Sequence, residues 1–335
     1  MLCVNGFCFK DSLLKDLPSL CKIQVMKYAL GLFLCFAGFA IGQPADSLIR
    51  KTDLQRTVHF LSLDSLKGRL TGSEGMGLAA QFIAARFDSL GLQPLFKDDG
   101  FYDHYTAGSD EEPIAAKNVV AVLRAHTTTD TVVIFSAHYD HIGQGDMLSS
   151  GKSFAREDDI FNGANDNATG VAALLALAAY YKAVANNRYH LIFAAFSGEE
   201  MGMLGSAHFL KRVKPKFVKA VINLEMLGRP DKENCFIISL RNNHLRNILN
   251  QSLKERQPGH KKNFFISDPY PDEELVRRSD HYPFALKIKN AFTIMATSPA
   301  DRFYHTADDE YETIDFDFMT RAVSNIALAC EVFVR

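Results

Sequence analysis

Four stretches of this chain are too continuously apolar to be strands with one wet face: "TVVIFSAH" (131–138), "YHLIFAAF" (189–196), "FVKAVINLEM" (217–226) and "AFTIMAT" (291–297). A strand that is apolar at both odd and even positions buries both faces of its sheet, and such sheets are largely parallel and covered by helices on either side. Helical patterns stand between the runs, at 46–62, 75–92 (closed by Gly91), 168–184, 243–256 and 317–334. Two further strands are predicted at "NVVAVLR" (118–124) and "NCFIISL" (234–240), and the short "AHTTTD" connection makes 118–124 and 131–138 expected neighbours. The polar, aromatic segment 98–116 reads as a surface excursion. Together these elements predict an α/β fold, a three-layer α/β/α sandwich around a twisted mixed, mostly parallel sheet.

The first 42 residues stand apart from this pattern. "MKYALGLFLCFAGFAIGQ" begins at Met26 with one positive charge at Lys27, continues through an apolar stretch and reaches the small-x-small site Ala40-Ile41-Gly42. That is the layout of a secretory signal peptide over 26–42, too short for a comfortable membrane span. Leu34 before Cys35 argues against lipid attachment, and residues 1–25 read as an upstream extension. The expected organisation is therefore 1–42 as extension plus signal, and 43–335 as one domain that is secreted or periplasmic and has no stable membrane insertion. After 1–42 only Cys235 and Cys330 remain. Two distant cysteines form no disulfide framework or zinc pattern, and both read as buried small apolar residues. A formal net charge of −2 gives no basis for nucleic acid as a partner. Oligomeric state is left open.

The chemistry-bearing residues fall at the ends of the predicted strands. His138 and Asp140 follow 131–137, Glu199 and Glu200 follow 189–196, Glu225 closes 217–224, and His305 comes after 291–297. Asp166 lies directly before the helix at 168–184. In open α/β sheets that edge is where ligands bind. Imidazoles and carboxylates without cysteine suit zinc or a similar divalent ion. Two imidazoles and three carboxylates exceed one tetrahedral zinc. If one carboxylate bridges, they supply three contacts to each of two metals, with room for a shared water that metal can acidify to a pKa of about 7.

The ordered motifs "AHYDHIG", "NGANDNATG", "FSGEEMGMLGS", "INLEMLGR" and "FYHTADDEYETID" together resemble the co-catalytic di-zinc aminopeptidases of metallopeptidase family 28, as does the earlier segment 68–94. The resemblance implies two Zn2+ ions, with His138 and Glu225 on one, Glu200 and His305 on the other, and Asp166 bridging them. Glu199 would be the general base toward metal-activated water, Asp140 would orient His138, and Tyr304 would stabilise the oxyanion. Asp280 and His281 would line or brace the site, and Asp309 matches an acid often found after the His-Thr pair. Asn165 and Asn167 are expected in turn and cap roles, and His141 is assigned none. One departure is Glu225, where the family usually has Asp; glutamate is one methylene longer.

The resemblance implies an exopeptidase that hydrolyses N-terminal residues from peptides. Glutaminyl cyclases share the fold and motif order but work with one zinc. They lean on tryptophans around the substrate, and this chain has no Trp. A non-catalytic binding protein of the same fold would be missing ligands or base, whereas here every position holds a competent side chain.

Overall fold

The computed structural model describes residues 2–4, 7–9, 48–145, 159–259 and 262–335. The signal-peptide reading over 26–42 lies outside these residues. The chain separates into two compact units, Met1–Gln43 and Pro44–Arg335. In the first, β1 (Leu2–Val4) pairs antiparallel with β2 (Phe7–Phe9).

The second unit is built on a nine-stranded mixed sheet. Its strands are β3 (Gln93–Pro94), β4 (Tyr102–Gly108), β5 (Pro113–Leu123), β6 (Val132–His138), β7 (His190–Phe196), β8 (Val218–Glu225), β9 (Cys235–Ser239), β10 (Phe265–Ser267) and β11 (Ala291–Met295). Their order is β10-β9-β11-β8-β6-β7-β5-β3, with β4 also paired to β5. Parallel pairing is concentrated at the centre, where β11, β8, β6 and β7 run the same way. Strands β9 and β5 flank this block antiparallel. The four continuous apolar runs are these four central strands.

Alternate residues of each central strand serve two separate apolar cores. Val119, Val133, Phe135, Phe193 and Ile222 face one side, against α1 (Lys51–Leu61), α2 (Glu74–Ser89), α3 (Thr169–Val184), α5 (Leu245–Arg256) and α7 (Phe316–Ala329). Val120, Ile134, Ile192 and Val221 face the other side, against Phe209 of α4 (Leu204–Arg212) and Phe284 of α6 (His281–Ala285). A short α8 (Glu331–Val334) ends the chain. The three layers follow directly from this two-faced burial. Among the described residues, no helix is long and apolar enough to cross a membrane. Cys235 and Cys330 are both buried and free.

Two expectations change. Strands β5 and β6 are not neighbours, because β7 lies between them, antiparallel to β5 and parallel to β6. The chain leaves β6, crosses over through α3 and returns into that slot, the usual route to an adjacent parallel strand. The segment 98–116 is also more than an excursion. It supplies β4 and the start of β5, a hairpin whose Tyr105 hydroxyl donates to the Ser197 carbonyl at 2.9 Å, just behind Glu199.

Candidate metal centre and active site

The parallel strands β6, β7, β8 and β11 end on one edge of the sheet. His138 is the last residue of β6 and Glu225 the last of β8, while Glu199 and Glu200 lie just past β7. His305 comes from the loop after β11, at φ 54. Asp166 sits in the irregular turn Ala164–Ala168 leading into α3, with φ −109 and ψ 93, outside helical geometry. The turn needs Gly163 before it: φ is 56 there, and a Cβ would run into the His141 ring and the Asp166 carbonyl.

These elements bring the donors together. Asp166 Oδ1 lies 3.2 Å from His138 Nε2, and its Oδ2 lies 3.3 Å from His305 Nε2. Glu200 Oε2 is 3.2 Å from the same His305 nitrogen, and its Oε1 is 2.9 Å from His141 Nδ1. The ligating atoms of His141, Asp166, Glu200 and His305 all lie within 4.8 Å of one another, as do those of His138, Glu199 and Glu200.

The chemistry of this donor set fits a cation. His138 Nδ1 lies 3.2 Å from the Asp140 carbonyl oxygen. A carbonyl only accepts, so Nδ1 carries hydrogen and the neutral ring turns its Nε2 lone pair to Asp166. Two acceptors at that separation need a proton or a cation between them. Among the side chains themselves a proton plays that part. Burial opposes a charged His138, but Glu199, Asp166 and Asp140 outweigh it and hold the imidazole well above its usual pKa. His305 is raised to about 10, with Asp166 and Glu200 overcoming burial. Burial likewise opposes the ionised Asp166, yet His138 and His305 hold it well below the carboxylate range. Glu200 is drawn down to about 2 against burial and the nearby Asp166, by hydrogen bonds from His141 and His305. Divalent zinc satisfies the same acceptors without a proton.

Glu225 is placed differently. It lines the same cavity, but it is not among the clustered donors of the described residues. Its Oε2 accepts from Asn223 Nδ2 at 3.0 Å and, in a short contact, from the Ser279 hydroxyl. Burial raises its pKa to about 8. Asp140 also departs from its expected part. Its carboxylate is 3.8 Å from His138 Nδ1, while it accepts from Thr71 Oγ1 at 2.8 Å and from the Glu199 backbone N–H at 3.3 Å. The bond-length contact to His138 comes from its carbonyl instead.

A hydrogen-bonded frame holds the Asp166 turn. The backbone N–H groups of Asn165 and Asp166 donate to Asp309 at 2.8 and 3.0 Å, and Arg229 ties Asp309 to Asp301. Asn167 Oδ1 accepts from Gly170 N–H at 3.0 Å and from Met226 N–H at 3.1 Å, which joins the cap of α3 to the end of β8. Asn165 Oδ1 accepts from Gly228 N–H at 2.8 Å. Arg69, fully buried, donates to the carbonyls of Tyr139, Asn162 and Gly163, and so clamps the two loops that carry His138 and Asp166. His281 is buried with Nδ1 2.8 Å from Thr293 Oγ1, and desolvation pushes it down to about 3, so it braces this region as a neutral ring.

The sequence reading missed His141 and Ser279. His141 is fully buried against Glu200, and the His-x-Asp-His spacing was its available signal. Ser279 had no local signal, because its contact to Glu225 spans 54 positions. Tyr304 stacks on His305 with centroids 4.0 Å apart. Burial raises its pKa, so the phenol keeps its proton. Asp166, Glu199, Glu200, Glu225 and Tyr304 all line one cavity of about 640 Å³, counting its open mouth.

A sequence model of peptidase family M28 matches residues 118–330. A probable zinc metalloprotease of Pyrenophora teres f. teres is 31% identical over 196 residues, which cover 56% of this chain and 39% of that protein. The match therefore spans about two fifths of that relative's length. Among solved structures, the aminopeptidase from Aneurinibacillus sp. strain AM-1 superposes with a TM-score of 0.64 at 16% identity, over 87% of this chain and 96% of that one. Porphyromonas gingivalis glutaminyl cyclase superposes with a TM-score of 0.61 at 18% identity, over 86% and 98%. At these identities the structural likeness concerns the fold.

Proposed function

This chain belongs to peptidase family M28, and on that premise we propose that it is a zinc-dependent exopeptidase, an aminopeptidase that hydrolyses N-terminal residues from peptides. The observation that carries this reading is the Asp166 carboxylate, which offers one oxygen beside His138 and the other beside His305. That is a bridging posture. In this reading His138 and Glu225 would hold one Zn2+, Glu200 and His305 would hold a second, and Asp166 would be shared. When bound, zinc supplies a Lewis acid that polarises the scissile carbonyl and acidifies water.

The chain's own residues do the rest. Glu199 lines the cavity, and its backbone N–H is anchored on Asp140. With no cation bound, burial and the nearby Glu200, Glu225 and Asp280 raise its pKa well above the carboxylate range, and a bound dication would draw it back toward the ionised form from which a base must start. Glu199 takes the proton of the attacking water. As the carbon–nitrogen bond breaks, it passes that proton to the leaving amine. Tyr304, kept protonated, donates to the oxygen that gains charge. Asp140 holds the Glu199 backbone and, through its carbonyl, the His138 tautomer.

In this reading 43–335 is a single catalytic domain and the protein is exported. The Lys27, apolar and small-x-small pattern over 26–42 supports export. The test is a panel of aminoacyl and N-blocked substrates, with and without added zinc, on wild type and Glu199→Gln. The reading predicts cleavage of free-amine substrates alone, zinc dependence, and a loss of about 10²–10⁴-fold in kcat with zinc content retained in the variant. Cleavage that ignores the N-terminal block, or an active Glu199→Gln, contradicts it.

A second reading, a glutaminyl cyclase with one zinc, draws on Glu225, whose Oε2 is committed to Ser279 and Asn223. Pyroglutamate formed from a Gln-initiated peptide without release of free amino acid would select it.

A further inference from the structure

Among the described residues, the cavity carries one Lys or Arg side chain, and the hydrolytic reading does not use it. Arg278 lines the cavity together with Asp166, Glu199, Glu200, Glu225 and Tyr304. Its Nη2 donates to the Tyr304 hydroxyl oxygen at 3.3 Å, and Tyr304 in turn stacks on His305. The guanidinium therefore stands one aromatic side chain away from the metal donors. Its ionic partner is Glu273, at 3.9 Å, with both side chains about half exposed (49% and 45%). A contact that long between wet groups contributes little and leaves the planar fork open to a better acceptor. A carboxylate can engage the fork through two parallel N–H···O bonds, which a loose pair at 3.9 Å does not provide.

The other walls define what lies between. Acids cluster at the strand ends. Met226, Phe236 and Met295 form a small buried apolar cluster beside them, with Tyr270, Leu275 and Tyr304 packed against it. The cavity thus combines carboxylates, an apolar wall and a guanidinium. A short peptide with a free N-terminal amine, an apolar first side chain and a nearby carboxylate has a group to match each of the three. We propose that Arg278 is a substrate-carboxylate site that directs the enzyme to dipeptides and other short peptides whose carboxylate falls beside the scissile bond. This rests on the aminopeptidase reading above. The carboxylate has two possible sources, the free C-terminus of a dipeptide or an acidic side chain, and the test separates them.

Hydrolysis of Leu-Gly is compared with Leu-glycinamide, and Leu-Asp-amide with Leu-Asn-amide, on wild type, Arg278→Lys and Arg278→Gln. The C-terminal source predicts kcat/KM at least about tenfold higher for Leu-Gly than for its amide in wild type, as expected of a charge-assisted hydrogen bond. That ratio falls in Arg278→Lys and approaches one in Arg278→Gln. If the first ratio is near one and the preference for Leu-Asp-amide over Leu-Asn-amide is lost in Arg278→Gln instead, the carboxylate is a side chain and the site stands. Ratios that do not change from wild type to Arg278→Gln overturn it. Because ratios are read within each variant, a general loss of activity does not imitate the effect. Calorimetric titration of Glu199→Gln, with and without Arg278→Gln, by Leu-Gly and Leu-glycinamide reads the same preference without turnover. Lack of hydrolysis by wild type would therefore count against the aminopeptidase reading, while the binding ratio still decides the Arg278 site.

Discussion

The two halves of the donor set are built differently. On one side, Asp166, Glu200, His141 and His305 are tied to one another at 2.9–3.3 Å, and the Asp166 turn is pinned from behind by Asp309 and Arg229. On the other side, His138 reaches Asp166, but Glu225 turns its Oε2 to Ser279 and Asn223. The first half is organised by its own ligands, whereas the second depends on a residue already held by protein donors. Donors that satisfy each other inside a frame need little rearrangement to bind a cation. A carboxylate that must exchange a hydroxyl for a metal pays a reorganisation cost. The comparison thus predicts a tight site and a weaker one in the same cavity.

Removing Asp166, the residue proposed to be shared, breaks the comparison outright. Asp166→Ala should lose zinc from both halves and lower hydrolysis by about 10⁴-fold or more, read by metal analysis after dialysis and by initial rates. Retention of one full zinc would mean that Asp166 is not shared.

Loosening the frame is the next largest effect. Asp309→Asn weakens the acceptor for the Asn165 and Asp166 backbone N–H groups and leaves Arg229 with less charge to meet. Zinc affinity of the tight half should fall by about 10–100-fold, with the fold intact by circular dichroism. Competition with a chelator measures it, and an unchanged affinity would show that the turn holds itself.

The smallest effect is on stability. Gly170 lets the start of α3 approach the end of β8 so closely that a Cβ would collide with the Leu224 carbonyl and the Asn167 side chain. Gly170→Ala should cost about 1–3 kcal/mol, seen as a lower Tm, and should disturb the Asn167 link to Met226 N–H before it touches the donors.

Much of this was legible in the residues. Continuous apolar runs marked the central strands and both covering layers, and four motifs after strands or before a helix placed His138, Asp166, Glu199, Glu200 and His305 at one edge. What was not legible depended on distant contacts. Nothing local to 118–138 says that β7 inserts between β5 and β6. The hairpin of β4 with β5 is hidden because the buried positions of β4 are Asp103 and Ala107, which leave no alternation of large apolar side chains to read. Ser279 meets Glu225 across 54 positions, and Asp140 acts through its carbonyl, which no side-chain pattern reveals. The extra methylene of Glu225 was visible, but its consequence, a head group reaching Ser279, emerged only from the packing.

The central claim is a two-metal site in which Asp166 is shared and Glu225 completes the weaker half. Zinc per chain, measured on wild type and Glu225→Ala at matched free zinc, tests it most directly. The account predicts two equivalents in wild type and one in the variant. One equivalent in both proteins would contradict it and leave Glu225 as a partner of Ser279 alone.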